Sequence, residues 1–564
     1  MSKLSKFIAF GMLGLMFILM FFSSWNDAAT FDEVAHIPAG YSYLTQQDYR
    51  LNPEHPPLIK DLSAIPLLFL KLNFPTNIKA WTEDVNGQWD AGRIFLYESG
   101  NNPDKILHFS RFLIILLALI FGWILFVWTS RLYGNKVGLL TLFFFSFSPT
   151  IIAHSRYVTT DLGAAFGFFI GLMTFVNFLN NQTGKNLIIA GVVFGLVQLL
   201  KFSLIILAPI YFLLGILWVV ISGYSWKEML KIIGKIILIG LIGLIIIWAV
   251  YQFHVWNYPA ERQIQDIKAT LTSPGAKPFV NLIAWISDKH IFQGLGEYLF
   301  GLLMIIQRAV GGNASYFLGT VSASGSLVYF PLLYLVKEPL AFHILSLIAL
   351  IFTIQNIKKA KEKNWRVVKE WMHDNFAITA SMIFIGVYFL QSITGNLNIG
   401  IRHILPTLPF IYFLVARQII RWQRGFTLKR YSVVGALLLW LFLSTLVIFP
   451  YYLSYYNALV GGTKNGYKIA TDSNYDWGQD LKRLVKFVDE NNIPKIKLDY
   501  FGGGNPQYYL KNKFEPWWSA RGEPPVGSWL AVSANTFQGN KDYFWLKDKI
   551  PVARAGSSIF IYKF

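Results

Sequence analysis

The stretch LHFSRFLIILLALIFGWILFVWT, Leu107–Thr129, decides what kind of chain this is. Beyond Arg111 it runs for 18 residues without a charge, the length a helix needs to cross the hydrocarbon core of a bilayer. Soluble core helices are shorter and keep a polar face. The pattern recurs along the chain. Spans are expected near Phe7–Ser23, Leu107–Thr129, Val137–Ala153, Leu162–Leu179, Leu187–Leu200, Phe202–Ser222, Ile236–Tyr251, Val328–Ile354, Phe376–Gln391, Ile404–Ile420 and Ser432–Pro450, which makes 11. The apolar run Tyr298–Val310 is too short for a span and fits a re-entrant or interfacial segment. Of the 564 residues 54% are hydrophobic and 14% charged, with mean hydropathy +0.43, as a polytopic helical membrane protein requires.

The net charge of +19 could point to nucleic acid, but its placement excludes that partner. Lys3 and Lys6, Arg131 and Lys136, and Lys227, Lys231 and Lys235 fall on one side of the expected spans. So do Lys358, Lys359, Lys361, Lys363, Arg366 and Lys369, and then Arg417, Arg421, Arg424, Lys429 and Arg430. By the positive-inside rule that side is cytoplasmic, which puts the N-terminus inside and the tail outside. Trp25, Asn26 and Asp27 follow the first span where a cleavage site would need small residues, so it reads as an anchor. Three segments then face outward: 24–106, 252–329 and the tail from 451. In 451–564, Leu481, Leu484, Val485 and Val488 repeat at helical spacing. Strands are expected at Lys495–Phe501, Ser528–Ser533 and Ser557–Phe564, with a turn at Gly502, Gly503, Gly504 and Pro506. Residues 1–450 are thus a transmembrane unit and the tail a small extracytoplasmic α/β domain. The chain has no cysteine, which excludes disulfides, thiolate metal sites and thiol nucleophiles.

Chemistry-bearing residues gather on the expected outer side. Asp32 and His36 are four apart and share a helix face, while Glu33 points about 100° away. Asn52-Pro53-Glu54-His55-Pro56-Pro57-Leu58 is a proline-stiffened turn leading into an apolar run that contains Lys60. Solvated loop residues and a rigid turn are the plain alternatives for both. Arg156 and Asp161, with His154, lie between the third and fourth spans, and Lys201 separates two apolar runs. Lys337-Glu338-Pro339 falls within the eighth span, and Arg402-His403 opens the tenth. Charges at membrane depth cost several kcal/mol unless a wet cavity or partner receives them. One lysine can snorkel; several cations beside carboxylates suit an anionic ligand such as a phosphate. No Walker loop, no Gly-x-Gly-x-x-Gly opening a helix and no His-Glu-x-x-His occurs, so an activated donor has to come from the membrane.

The runs Thr30-Phe31-Asp32-Glu33-x-x-His36 and Asn52 to Leu58 resemble the first outer loop of the protein O-mannosyltransferase superfamily, and more narrowly of bacterial phospholipid carrier-dependent glycosyltransferases. Thr159-Thr160-Asp161-Leu162, Lys201-Phe202-Ser203, Lys337-x-Pro339, Gly400 to Pro406 and the tail's Asp472 to Leu481 match as well. The resemblance implies a C-type membrane glycosyltransferase fold, a polyprenyl-phosphate-linked sugar donor and inversion at the sugar. It implies Asp32 as base with Glu33 beside it. Arg402, His403, Lys201, Lys337 and Arg156 are candidates for the donor phosphate, and His36, His55, Asn52, Glu54 and Asp161 for the substrate cavity. The acceptor is a lipid, glycan or protein hydroxyl. No cofactor is required, although acid and histidine side chains leave a divalent cation open. A transporter or flippase of a lipid-linked sugar and an oligosaccharide ligase of the same fold superclass are the alternatives. The stretch Ser473 to Asp476 is also what a helix start before Leu481 looks like, and is expected to serve structure or the acceptor side.

Overall fold

The computed structural model describes residues 1–359, 364–424 and 428–564. Lys361 and Lys363 of the basic cluster lie outside the described residues. The chain is a multi-pass membrane protein: among the described residues nine helices are long and apolar enough to span a bilayer. They are Lys3–Ser24, Pro103–Tyr133, Thr160–Asn180, Phe202–Ser222, Trp226–His254, Leu340–Lys359, Phe376–Thr394, Ile401–Gln423 and Leu428–Val447. Local sequence sets their ends. Pro103 occupies the first turn of its helix, the Asn102 side chain accepts from Lys105 N at 3.0 Å, and Gly134 stops the helix at φ 91°.

Three expected spans differ, each for a visible reason. Val137–Ala153 is a 12-residue helix, Asn135–Ser146, then a break before Pro149 and a short helix Pro149–His154. Twelve residues rise only about 18 Å, short of a bilayer. Leu187–Leu200 is the 15-residue helix Gly184–Gln198, also short. It lies against Trp226–His254 where Gly195 meets Gly243, the small-residue contact that lets helices approach in a membrane. The expected eighth span is cut at Pro339 into Tyr329–Lys337 and Leu340–Lys359, so Lys337 ends a short buried helix and does not sit inside a span. The run Tyr298–Val310 lies within the helix Gln293–Gly311.

After residue 450 the chain forms a five-stranded mixed sheet in the order Phe514–Pro516, Ile496–Asp499, Trp529–Ser533, Ile559–Lys563, Ala553–Ala555. The first two pairings are parallel and the last two antiparallel. Helix Leu481–Glu490 buries Leu481, Leu484 and Val488 against the sheet as its spacing predicts. The strands of three residues, 514–516 and 553–555, are too short to stand out in the sequence. The glycine turn has a further task. Gly503 N–H donates to Ala29 O at 3.1 Å, and a Cβ on Gly503 would collide with Thr30 O, so this loop rests on the segment leading to Asp32.

Candidate functional site

Helix Phe31–Gln46 begins with a capping box: Thr30 N–H donates to Glu33 Oε2 at 2.9 Å and its hydroxyl at 3.1 Å. The remaining valences of Glu33 are taken by Arg111 from helix Pro103–Tyr133, with Nε to Oε1 at 2.8 Å and Nη2 to Oε2 at 2.7 Å, and by Val158 N–H at 3.1 Å. Its side chain is 0% exposed. Glu33 is therefore spent on fixing the helix start and does not reach the cavity. Asp32, one residue earlier, points the other way, as helical geometry requires.

Asp32 faces a cavity of about 340 Å³. Its Oδ2 lies 2.6 Å from Arg402 Nη1. The same guanidinium nitrogen is 3.6 Å from Asp161 Oδ2, and Asp161 Oδ1 accepts from Lys201 Nζ at 2.6 Å. Two carboxylates and two cations so form one alternating chain from Asp32 to Lys201. Asp161 sits in the first turn of helix Thr160–Asn180, where the helix dipole favours an anion. Arg402 Nε is buried without a hydrogen-bond partner, a donor left over for something else.

The proline turn forms the next wall. His36 and His55 stand edge to face with ring centres 5.0 Å apart, and His36 Nδ1 is 2.9 Å from Val158 O. Burial lowers the pKa of His36. Burial also pushes His55 well below the ordinary histidine value, helped by the nearby positive charges of Lys60, Lys201 and Arg308. Both rings are thus held neutral at pH 7. Lys60 is fully buried and holds the turn from behind. Its ammonium donates to Asn52 O (2.9 Å), Asn52 Oδ1 (3.0 Å), His55 O (2.6 Å) and Tyr43 OH (2.7 Å). Burial brings it down to about 7. Glu54 accepts from Gln88 Nε2 at 2.8 Å and Asn86 Nδ2 at 3.1 Å.

Nine of the residues singled out in the sequence line this one cavity: Asp32, His36, Asn52, Glu54, His55, Asp161, Lys201, Arg402 and His403. Three do not. Glu33 is buried on Arg111; Arg156 pairs with Asp27 at 3.1 Å and lies over the Tyr157 ring. Lys337 donates to Leu453 O at 2.8 Å and Asn474 O at 2.7 Å. Arg156 and Lys337 are each committed to a neighbour a membrane-depth charge needs, which sequence position alone does not reveal. The sequence reading missed Arg308, Trp89 and Tyr388 on the lining and Lys60 behind it. A lysine inside an apolar run was the available signal for Lys60; Arg308 is one arginine on an amphipathic helix and carries none. Among the described residues no group of three or more acids and histidines is placed to hold a metal.

Residues 106–252 match the family described as dolichyl-phosphate-mannose-protein mannosyltransferase, which bears out the sequence resemblance over that stretch. The match includes Asp161 and Lys201 but neither Asp32 nor Arg402. No curated protein sequence matches the chain. Similar solved structures include ArnT from Cupriavidus metallidurans bound to undecaprenyl phosphate, at 11% identity over 98% of this chain and 96% of that one, TM-score 0.47. The Archaeoglobus fulgidus oligosaccharyltransferase in complex with zinc and sulfate is 12% identical over 93% and 68%, TM-score 0.42. The S. cerevisiae protein O-mannosyltransferase Pmt1-Pmt2 complex bound to the sugar donor is 21% identical over 45% and 34%, TM-score 0.33.

Proposed function

We propose that this chain transfers a mannose-like sugar, with inversion, from a polyprenyl-phosphate carrier to an acceptor hydroxyl on the outer face of the cytoplasmic membrane. The observation that carries it is the Asp32–Arg402 contact at 2.6 Å inside a cavity that also holds Lys201 and neutral His55. An acceptor oxygen attacks the anomeric carbon as the carbon–oxygen bond to phosphate breaks. The bonding pair leaves with the phosphate, and the acceptor proton passes to the Asp32 carboxylate. The leaving phosphate gains charge that Arg402, with Lys201 and His403 beside it, is placed to balance. Arg402 spends Nη1 on Asp32 and keeps Nε unpaired, so a phosphate enters at the free donor and then competes with the carboxylate for the guanidinium charge. Donor binding therefore draws the guanidinium off and frees the carboxylate as the acceptor arrives. A single displacement of this kind calls for no metal.

The acceptor belongs to lipids, glycans or proteins, and the outward orientation follows from the basic clusters. With no cysteine in the chain, Ser2→Cys and Asp548→Cys report each end alone. Only the second should react with an impermeant thiol reagent on intact cells; labelling of Ser2→Cys would overturn the topology. For the reaction itself, purified protein in nanodiscs is given a polyprenyl-phosphate hexose and the organic phase is analysed. Release of free polyprenyl phosphate by the wild type and not by Asp32→Asn supports transfer. In proteoliposomes, movement of the intact lipid-linked sugar between leaflets without cleavage would replace it with a flippase.

A further inference from the structure

The tail segment Asp472–Asp480, which the sequence leaves to structure or the acceptor, reaches into the site described above. Trp477 is 1% exposed, and the centre of its indole lies 4.4 Å from the Arg402 guanidinium carbon. The same residue's carbonyl accepts from Phe31 N–H at 3.0 Å, immediately before Asp32. One residue so touches Arg402 by its ring and, by its backbone, the residue that precedes Asp32. The neighbours hold the loop that presents Arg402. Ser473 Oγ donates to Ile399 O at 2.6 Å and Asn474 Oδ1 accepts from Ile401 N–H at 2.8 Å. Between these anchors Gly400 has φ 146°, and a Cβ there would strike Ser473 Oγ. The segment is itself pinned. Lys337 donates to Asn474 O, Gln479 O accepts from Ala28 N–H at 3.0 Å, and Asp476 Oδ2 accepts from Asn535 N–H at 2.9 Å.

We infer that Trp477 is a positioning residue of the donor site, holding the Arg402 guanidinium while its N–H edge passes from Asp32 to the donor phosphate. The inference rests on the proposed function. A cation over an indole face is attracted by the ring quadrupole from any in-plane orientation, so the contact persists while the hydrogen-bond partner changes. A carboxylate brace in the same place would compete with the phosphate; an indole does not. The C-terminal region is on this account part of the donor site, not a separate acceptor-recruiting module.

The test titrates full-length protein in nanodiscs with undecaprenyl phosphate. Trp477→Leu keeps apolar bulk and removes the π face, and should weaken binding about tenfold or more; Trp477→Phe keeps a face and should stay within about threefold of wild type. Melting temperatures of the two variants should agree to within a few degrees. Wild-type affinity in Trp477→Leu overturns the inference, and so does equal weakening by leucine and phenylalanine, which is what lost packing alone produces. Ser473→Ala slackens the Gly400 loop without touching the ring and should cost about threefold. If Trp477→Leu does not fold, wild-type binding by Ser473→Ala is the overturning result. Arg402→Ala separates the two levels. Lost binding there with retained binding in Trp477→Leu removes the positioning role alone, whereas wild-type binding by Arg402→Ala removes the donor-site assignment.

Discussion

Asp32 and Glu33 are adjacent in sequence, each meets an arginine, and the two pairs are built for opposite ends. Glu33–Arg111 is sealed, with side chains 0% and 2% exposed and two parallel hydrogen bonds. Arg111 fills its other donors with the carbonyls of Ser24, Asp27 and Ala28. Asp32–Arg402 is joined through one nitrogen, its side chains are 20% and 10% exposed, and Arg402 keeps an unpaired Nε. A buried pair with every valence filled gains nothing from a ligand and loses much when opened. A pair at a cavity wall with spare donors exchanges partners at small cost. Between these two pairs, a spare donor at an open cavity wall, not the presence of charge, marks the difference.

The largest effect that could break this contrast is on transfer. Asp32→Asn should lower turnover about a thousandfold or more, the scale of a lost general base, with wild-type melting behaviour and retained donor binding. Appreciable turnover by a purified Asp32→Asn protein removes the base assignment. Glu33→Gln should act through stability instead. It leaves Arg111 buried beside a neutral group, at a cost of about 3–5 kcal/mol, and thermal unfolding in nanodiscs measures it. A normally melting but inactive Glu33→Gln protein would mean that Glu33 serves the chemistry and that the two pairs do not differ in kind.

Arg402→Lys sharpens the open pair. An ammonium cannot give the forked donor set, so turnover should fall roughly tenfold to a hundredfold with a smaller change in donor affinity. A fully active lysine variant leaves a point charge as all that is required. The smallest effect concerns His55. Its folded pKa lies well below the ordinary 6.5, so below about pH 6.5 the unfolded chain takes up a proton that the folded chain refuses. Stability conferred by the neutral ring is complete above that pH and is lost as pH falls, with a slope of up to about 1.4 kcal/mol per pH unit. His55→Asn should flatten the acid limb of melting temperature against pH between about 6.5 and 5. An unchanged slope would assign that limb to other groups.

The sequence by itself determined the membrane-spanning helical class and the polar residues that surround one cavity. Apolar length and the cost of unpaired charge in a bilayer act on local composition, and composition is fully written in the chain. Helical periodicity likewise turns Asp32 and Glu33 apart, because neighbours on a helix are rotated by a fixed angle whatever packs around them. Tertiary structure decided which charges are spent. Arg156, Lys337 and Arg402 look alike as cations at span ends, yet the first is sealed in an ion pair with Asp27 and the second is held by two tail carbonyls, while Arg402 alone of the three lines the cavity. It also brought Trp477 onto Arg402 and Lys60 behind His55. The first contact joins residues 75 positions apart and the second forms through a backbone carbonyl, so neither leaves a periodic or compositional trace. Partner choice among like charges is a property of packing at close range, and only the folded chain supplies it.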